Sequence, residues 1–481
     1  QEEILNELEE RDGAILLSET KILTFDEALA IAENEGAIVR EIDAKKLFNE
    51  IAYSAWDSGD PGLLFIDTIN RRHPVWYLGK INATNPCGEV PALYWESCNL
   101  GSINLEKFVK EENGKTTIDW EDLGRTVRIA VRFLDNVIDA NKYPLKKIEE
   151  VTKRTRKIGL GVMGWAHMLI KLKIPYDSPD ALYLAYYLME WIEYNAVLES
   201  IMLAGRRGSF PAYDPEKYRP TWLTVKPLKE IFETSGIEEK VSEHVKKLIS
   251  ERPLVDWKTI EALRKKIGLR NAAVTSIAPT GSISIIAGTT SSIEPLFAIA
   301  FVRHVTVGTF IEVDRLFQKE IMEYGIVDKN VFKEIAKTGS IAHMENIPYD
   351  LRRIYRTAHD IEPTWHILHQ AVFQQWVDQG VSKTINMRSE VPPEAVYEAY
   401  MLAWKLGCKG ITVYRDKSKT QQVIYFGVKS TEDKEGNGNS KKKSQPTLKS
   451  LKLTSTRVRI KNEEYISASE EYAGGCLTCD I

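Results

Sequence analysis

The sequence predicts a mixed α/β fold, and two observations carry that expectation. Short apolar, β-rich runs, such as Leu63-Leu64-Phe65-Ile66 and Ile277 with its neighbours, alternate with helical periodicity over 124–141, 181–204 and 393–406. A hydrophobic share of 43% in 481 residues is enough to build a large core. Residues 1–41 read as an N-terminal helical segment: QEEILNELEERDG is polar and helical in pattern and lacks the apolar core of a signal peptide. Because the chain opens on Gln1, this segment reads as the remainder of an upstream region. Residues 42–428 carry the α/β pattern. Residues 429–460 contain TEDKEGNGNSKKKSQPTLKS, a Gly/Ser/Lys-rich stretch that cannot bury a core and reads as a mobile linker. Residues 461–481 form a tail that ends EYAGGCLTCDI, two thiols behind a Gly-Gly hinge.

The balance of 64 Lys+Arg against 68 Asp+Glu gives no electrostatic footprint for nucleic acid, whereas a nucleotide-sized ligand needs only a local site. No apolar run approaches the roughly 18 residues of a membrane span. The five cysteines are Cys87, Cys98, Cys408, Cys476 and Cys479. An odd number without a secretion signal argues against a disulfide scaffold and for the reducing cytoplasm.

The densest chemical signal is TNPCGEVPALYWESCNLGSINL, residues 84–105. Asn85, Cys87 and Glu89 alternate, so in an extended segment they share one face. Pro86 and Gly88 between them argue for a rigid, tight loop instead of a ladder strand. A thiol flanked by an amide and a carboxylate is a plausible catalytic group, since the carboxylate can take a proton and the amide can hold a substrate hydroxyl. Cys98 follows eleven residues later, in a run that reads as strand and turn. The competing reading is two buried thiols, because free Cys is commonly a small buried hydrophobe.

A second signal lies in NAAVTSIAPTGSISIIAGTTSSIEPLF, residues 271–297. An apolar run leads into Pro279-Thr280-Gly281-Ser282 and then residues able to start a helix, whose free N–H groups suit phosphate. The competing reading is an ordinary turn, and no Walker A loop is present. Gly159, Gly161 and Gly164 match G-x-G-x-x-G, but Lys153-Arg154-Thr155-Arg156-Lys157 precedes them where a dinucleotide fold needs an apolar strand. His366 and His369 sit at helical spacing without an acidic partner and read as structural; no metal site is expected. Cys408 reads as core. Cys476 and Cys479 form C-x-x-C without the second ligand pair that zinc needs, so a redox dithiol is the better reading.

N-P-C-G-E followed by E-S-C-N-L-G-S-I-N-L resembles the active-site loop of the ribonucleotide reductase family. The resemblance implies that Cys87 is the thiyl radical that takes the 3′ hydrogen and that Glu89 accepts the 3′-hydroxyl proton. It further implies that Asn85 binds the ribose and that Cys98 is one of two thiols reducing the 2′ carbon, with Asn99 and Leu100 lining the pocket. The 271–297 segment is similar to the diphosphate-binding turn of that family, which places phosphates on Pro279, Thr280, Gly281, Ser282 and Ile283. R-K-I-G-L-G-V-M-G resembles a helix-start segment whose glycines allow close packing. Ser382-Lys383-Thr384-Ile385-Asn386 also matches, although Gln379-Gly380 and Met387-Arg388 depart from the usual neighbours. Cys476 and Cys479 match the shuttle pair that takes electrons from a thioredoxin- or glutaredoxin-like reductant.

Within the family, the oxygen-dependent class relays its radical through adjacent tyrosines. The matching stretch here, residues 410–416, has Tyr414 alone. The anaerobic class uses a glycyl radical near its C-terminus, where this chain has cysteines. Adenosylcobalamin is therefore the implied cofactor, although the D-x-H-x-x-G motif of other cobalamin enzymes is absent. The expected fold is part of a ten-stranded α/β barrel with Cys87 on a central finger loop. Its first strands, the allosteric nucleotide sites and the second reducing cysteine would come from a missing N-terminal half or a second protomer, since no cysteine precedes Cys87. The alternatives are an inactive or partial chain and an oxygen-dependent catalytic subunit.

Overall fold

The computed structural model describes residues 43–418, except 113, 306, 307 and 327, together with the strands Arg457–Ile460 and Glu463–Ile466. By its contacts the chain divides into two units, 1–51 and 52–481. Of the first unit, the described part is residue 43 and the opening turns of the helix Ala44–Ser58.

The second unit is organised by a run of neighbouring extended segments. Asn99–Asn104 pairs in parallel with Ile158–Met163, from Asn99 opposite Ile158 to Asn104 opposite Met163. Every residue of Ile158–Met163 is buried, the mark of a parallel strand covered on both faces. Its other edge meets residues 273–277, through Leu160 N–H to the Val274 carbonyl at 2.9 Å and Ser276 N–H to the Leu160 carbonyl at 3.1 Å. Ile277 bridges in parallel to Val381. Thr384–Met387 then pairs in parallel with Gly410–Arg415, and Leu63–Leu64 closes that edge antiparallel. Among the described residues no pairing joins the two outer strands.

Helices cover this sheet. Trp120–Ala140 begins at Asp119, whose side chain accepts the Asp122 N–H at 3.1 Å, and it buries Leu123, Val127, Val131, Leu134 and Ile138 along one stripe. Pro179–Arg207 is 29 residues long, capped by Ser178, and buries residues around its whole circumference. Pro393–Lys405 agrees with the helix expected there. A separate apolar cluster around Phe317, Ile321, Ile335, Ile341 and Tyr355 unites the helices of 315–354. Among the described residues no helix is long and apolar enough to cross a membrane.

Three local expectations need correction. Only Leu63–Leu64 of the first apolar run is strand, because the helix Ile66–Arg71 starts at once, with Asp67 in its first turn and Arg71 in its last. The G-x-G-x-x-G segment is a strand, and the helix that follows starts only at Trp165, after Gly164 in the left-handed region at φ +77°. The close packing expected of these glycines is present: a Cβ on Gly161 would lie 2.4 Å from the Ser276 carbonyl oxygen. Finally, Arg457–Ile460 lies within the expected linker, yet pairs antiparallel with Glu463–Ile466 in the tail. Alternation of Arg457, Val458, Arg459 and Ile460 is a strand pattern that the composition of the stretch conceals.

Candidate active site

Cys87 sits on the turn of a very short hairpin. Ala83 and Thr84 pair with Ala92 and Pro91, and residues 85–90 connect them. Gly88 N–H donates to the Asn85 carbonyl at 3.0 Å, with Gly88 at φ +80°. Asn85 Oδ1 accepts the Val90 N–H at 2.9 Å, so this residue clamps the turn with both backbone and side chain. The turn is therefore tight, as Pro86 and Gly88 imply, and not an extended ladder. Cys87 is partly exposed. Glu89 is buried, and its Oε2 has no hydrogen-bond partner among the described residues. Burial pushes the Glu89 carboxyl above its ordinary range, opposed by a hydrogen bond from Asn85.

Two consecutive residues just before the Val381 bridge, Gln379 and Gly380, hold this turn against Cys98. Gly380 N–H donates to the Glu89 carbonyl at 2.8 Å, and Ser276 Oγ donates to the same oxygen at 2.6 Å. A Cβ on Gly380 would stand 2.3 Å from the Gly88 carbonyl oxygen and 2.8 Å from Glu89 Cα, so the approach requires glycine. Its neighbour Gln379 places Nε2 3.6 Å from Cys98 Sγ. Cys98 itself precedes the strand Asn99–Asn104, and its sulfur would lie 3.3 Å from a Cβ on Gly159. Nearby, Lys157 Nζ and Glu96 Oε2 form a fully buried ion pair at 2.7 Å. Burial pushes the Cys98 thiol up to about 12, against the Gln379 hydrogen bond and the Lys157 charge, so the group is a thiol at neutral pH.

Asn99 directs its amide into the fold, donating to the Leu134 carbonyl at 3.1 Å, whereas Leu100 is 39% exposed. The second expected segment forms a strand-to-helix turn that follows Ile277. Thr280 is buried at φ +55° and its Oγ1 accepts the Ser292 N–H at 2.7 Å, which leaves that hydroxyl engaged internally. The N–H groups of Gly281, Ser282 and Ile283 precede the first helical bond, Ser284 N–H to the Thr280 carbonyl at 3.0 Å. Pro279 is partly buried, and Ser282 and Ile283 are exposed. Downstream, Glu294 accepts the Thr384 N–H at 2.8 Å and pairs with the buried Lys383. The I-E-P and S-K-T-I-N stretches thus meet.

His366 is buried between the Ala358 carbonyl, 3.0 Å away, and Lys383 Nζ, 2.9 Å away. His369 stacks on Tyr176 with ring centroids 3.8 Å apart. Both read as parts of the core. Cys408 is fully buried. Among the described residues no cluster of His, Cys, Asp or Glu could hold a metal ion. Cys476 and Cys479 lie outside the described residues. Sequence reasoning did not single out Ser276, Lys157, Gln379 or Gly380 as site residues. Lys157 hides in a run of charges, Ser276 lies in the apolar run ahead of the expected phosphate turn, and Gln379-Gly380 drew notice only as a departure from the usual neighbours of the Ser382–Asn386 match.

Residues 5–414 match the family described as the ribonucleotide reductase barrel domain. A vitamin B12-dependent ribonucleoside-diphosphate reductase of Thermoplasma acidophilum is 46% identical over 399 residues, covering 83% of this chain and 46% of that protein. One from Mycobacterium tuberculosis is 41% identical over 393 residues, covering 82% of this chain and 49% of that protein. Among solved structures, the class Id ribonucleotide reductase alpha subunit of Actinobacillus ureae superposes with a TM-score of 0.59 at 23% identity. That superposition covers 80% of this chain and 63% of the other, and shows a shared fold. The chain spans about half the length of the curated relatives it matches. With the family match running through the Cys87 turn, Cys98, the 279–283 turn and the strands that join them, this chain belongs to the ribonucleotide reductase family.

Proposed function

We propose that this chain carries the radical thiol and one of the two reducing thiols of a ribonucleotide reductase that converts ribonucleoside diphosphates to 2′-deoxyribonucleotides in the cytoplasm. The observation that carries the proposal is the Gln379-Gly380 step, where the Gly380 N–H binds the Cys87 turn and the Gln379 side chain reaches the Cys98 thiol. In this reading Cys87, as a thiyl, takes the 3′ hydrogen of the ribose. Ionised Glu89 accepts the 3′-hydroxyl proton, while Asn85 keeps the turn and the carboxylate in place. Cys98 and a second thiol then deliver two electrons and two hydrogens as the 2′-hydroxyl leaves as water, and become a disulfide; Cys87 returns its hydrogen to C3′ and Glu89 its proton to the 3′ oxygen, which restores the thiyl and the carboxylate. A thiol kept protonated suits a hydrogen donor. The second thiol comes from a segment outside residues 1–481 or from a second protomer. The backbone N–H groups of Gly281, Ser282 and Ile283 hold the phosphates, with Pro279 and Thr280 shaping the turn.

The order of neighbouring segments, 99–104, 158–163, 273–277, 380–387 and 410–415, supports the reading of part of a ten-stranded barrel with Cys87 on its finger loop. When bound, adenosylcobalamin supplies the initiating radical by cleavage of its carbon–cobalt bond. The residues present fit a source brought to Cys87 from outside the chain. The thiol is partly exposed, and Leu64, 44% exposed and within 3.8 Å of a Cβ placed on Gly88, offers the group an apolar contact.

The direct test is chromatographic. The protein, completed by the region its relatives possess, is incubated with a ribonucleoside diphosphate, adenosylcobalamin and a dithiol. Deoxynucleotide that appears only with the cobalamin supports the proposal; product that instead requires oxygen and a second subunit points to the oxygen-dependent class. Replacing Cys476 and Cys479 together by Ser is expected to stop turnover with a thioredoxin-like protein and to spare turnover with a small dithiol, which enters the site unaided. Equal loss with both reductants refutes the shuttle.

A further inference from the structure

The Cys98 sulfur faces a single amide whose orientation the backbone dictates. Gln379 is 4% exposed. Its Nε2 lies 3.0 Å from the Ile158 carbonyl oxygen, 3.5 Å from that of Thr275 and 3.6 Å from Cys98 Sγ. Two carbonyls facing one end of the amide identify that end as the nitrogen, since the reversed group would set oxygen against oxygen. The backbone is equally constrained. Gln379 N–H donates to the Thr275 carbonyl at 3.2 Å, and its own carbonyl accepts Lys409 Nζ at 2.7 Å and Gln374 Nε2 at 3.0 Å. The side chain therefore delivers an N–H to the sulfur from a fixed position. The charged groups that act on Cys98 are Lys157, Glu96 and Glu89. Lys157 is tied to Glu96, so the pair offers the sulfur little net charge. Gln379 remains as the donor.

We propose that Gln379 is a positioning residue for Cys98, whose N–H holds the sulfur and stabilises it when it carries negative charge. This rests on the reading of Cys98 as one of the two reducing thiols. The charge arises when the disulfide formed in turnover is reopened. A thiolate of a dithiol reductant attacks the sulfur of the partner cysteine, the S–S bond breaks, and its electron pair leaves on Cys98 Sγ. The second thiol of the reductant gives its proton to that sulfur and then closes on the mixed disulfide, releasing the partner cysteine as a thiolate that takes a proton from water. A leaving sulfur with little access to water is slow to depart, and a fixed N–H lowers that barrier.

The test measures thiol reactivity, not nucleotide reduction, so its outcome and that of the proposed function are independent. The full chain is alkylated with iodoacetamide at pH 8.5 and the label at each cysteine is followed by peptide mass spectrometry, with buried Cys408 reporting on folding. Gln379→Met keeps the length of the side chain and removes the donor. Alkylation at Cys98 is expected to slow about tenfold while Cys408 stays protected. A merely structural residue would loosen the packing on replacement and speed the reaction. An unchanged or faster rate at Cys98 in a folded variant overturns the proposal. Should Cys408 become reactive in Gln379→Met, Gln379→Leu provides the same test with a shorter apolar side chain and no donor. It is expected to slow Cys98 as much, and an unchanged or faster rate there overturns the proposal equally.

Discussion

Replacing Cys87 by Ser is expected to lower deoxynucleotide formation by a factor on the order of 10³ or more, with the fold unchanged. The chemistry asks for a group whose hydrogen can be removed to leave a radical able to take a ribose hydrogen in turn. A thiol does this because its S–H bond is comparable to the ribose C–H bond, whereas a hydroxyl's O–H bond is far stronger. The geometry separates this loss from misfolding. The turn is held by Asn85, Gly88 and the bonds from Gly380 and Ser276 to Glu89, none of which uses the Cys87 side chain. Serine is nearly isosteric with cysteine and the position is partly exposed, so stability should stay within about 1 kcal/mol of the wild type. Turnover by folded Cys87→Ser above a hundredth of the wild-type rate would remove Cys87 from the thiyl role and with it the proposed function.

How much of this site could be read from the sequence depended on distance along the chain. The turn was legible because its causes are local: Pro86 and Gly88 break the strand, and Asn85 reaches only as far as Val90. The helix Pro179–Arg207 was legible over 181–204 because its helical periodicity is contained within the element. What holds the site together was not. Gln379 is separated from Cys98 by 281 positions, and nothing near Gly380 tells that a carbonyl will stand where its Cβ would be. Lys157 sits in a basic run of ordinary solvated appearance, yet it is buried against Glu96. The strand Ile158–Met163 was obscured by its two glycines, which look like breakers until the Ser276 carbonyl and the Cys98 sulfur are seen to occupy the space a side chain would need. Burial on both sheet faces, a tertiary fact, overrode the local preference.

Glu89→Gln is expected to reduce turnover by about 10² to 10⁴ in kcat, the usual cost of removing a positioned base. Glu89 serves only when ionised, and burial raises its pKa above the ordinary carboxylate range. Wild-type kcat should accordingly fall as pH drops through that raised value, and the small residual activity of Glu89→Gln should show no such limb. The same shift fixes the sign of a stability effect. A carboxyl that binds its proton more tightly in the folded state contributes stability that is fully present below its unfolded pKa and is lost as pH rises through its folded one. Glutamine cannot titrate, so the melting temperature of Glu89→Gln, measured from pH 4 to pH 8, should gain on that of the wild type as pH rises and then level off. The stability difference should level off in the same pH range in which activity reaches its plateau, because the folded-state pKa of a single carboxyl sets both. If the activity limb persists in the variant while the stability difference follows pH as expected, Glu89 is a buried acid but not the base, and the 3′-hydroxyl proton has another acceptor.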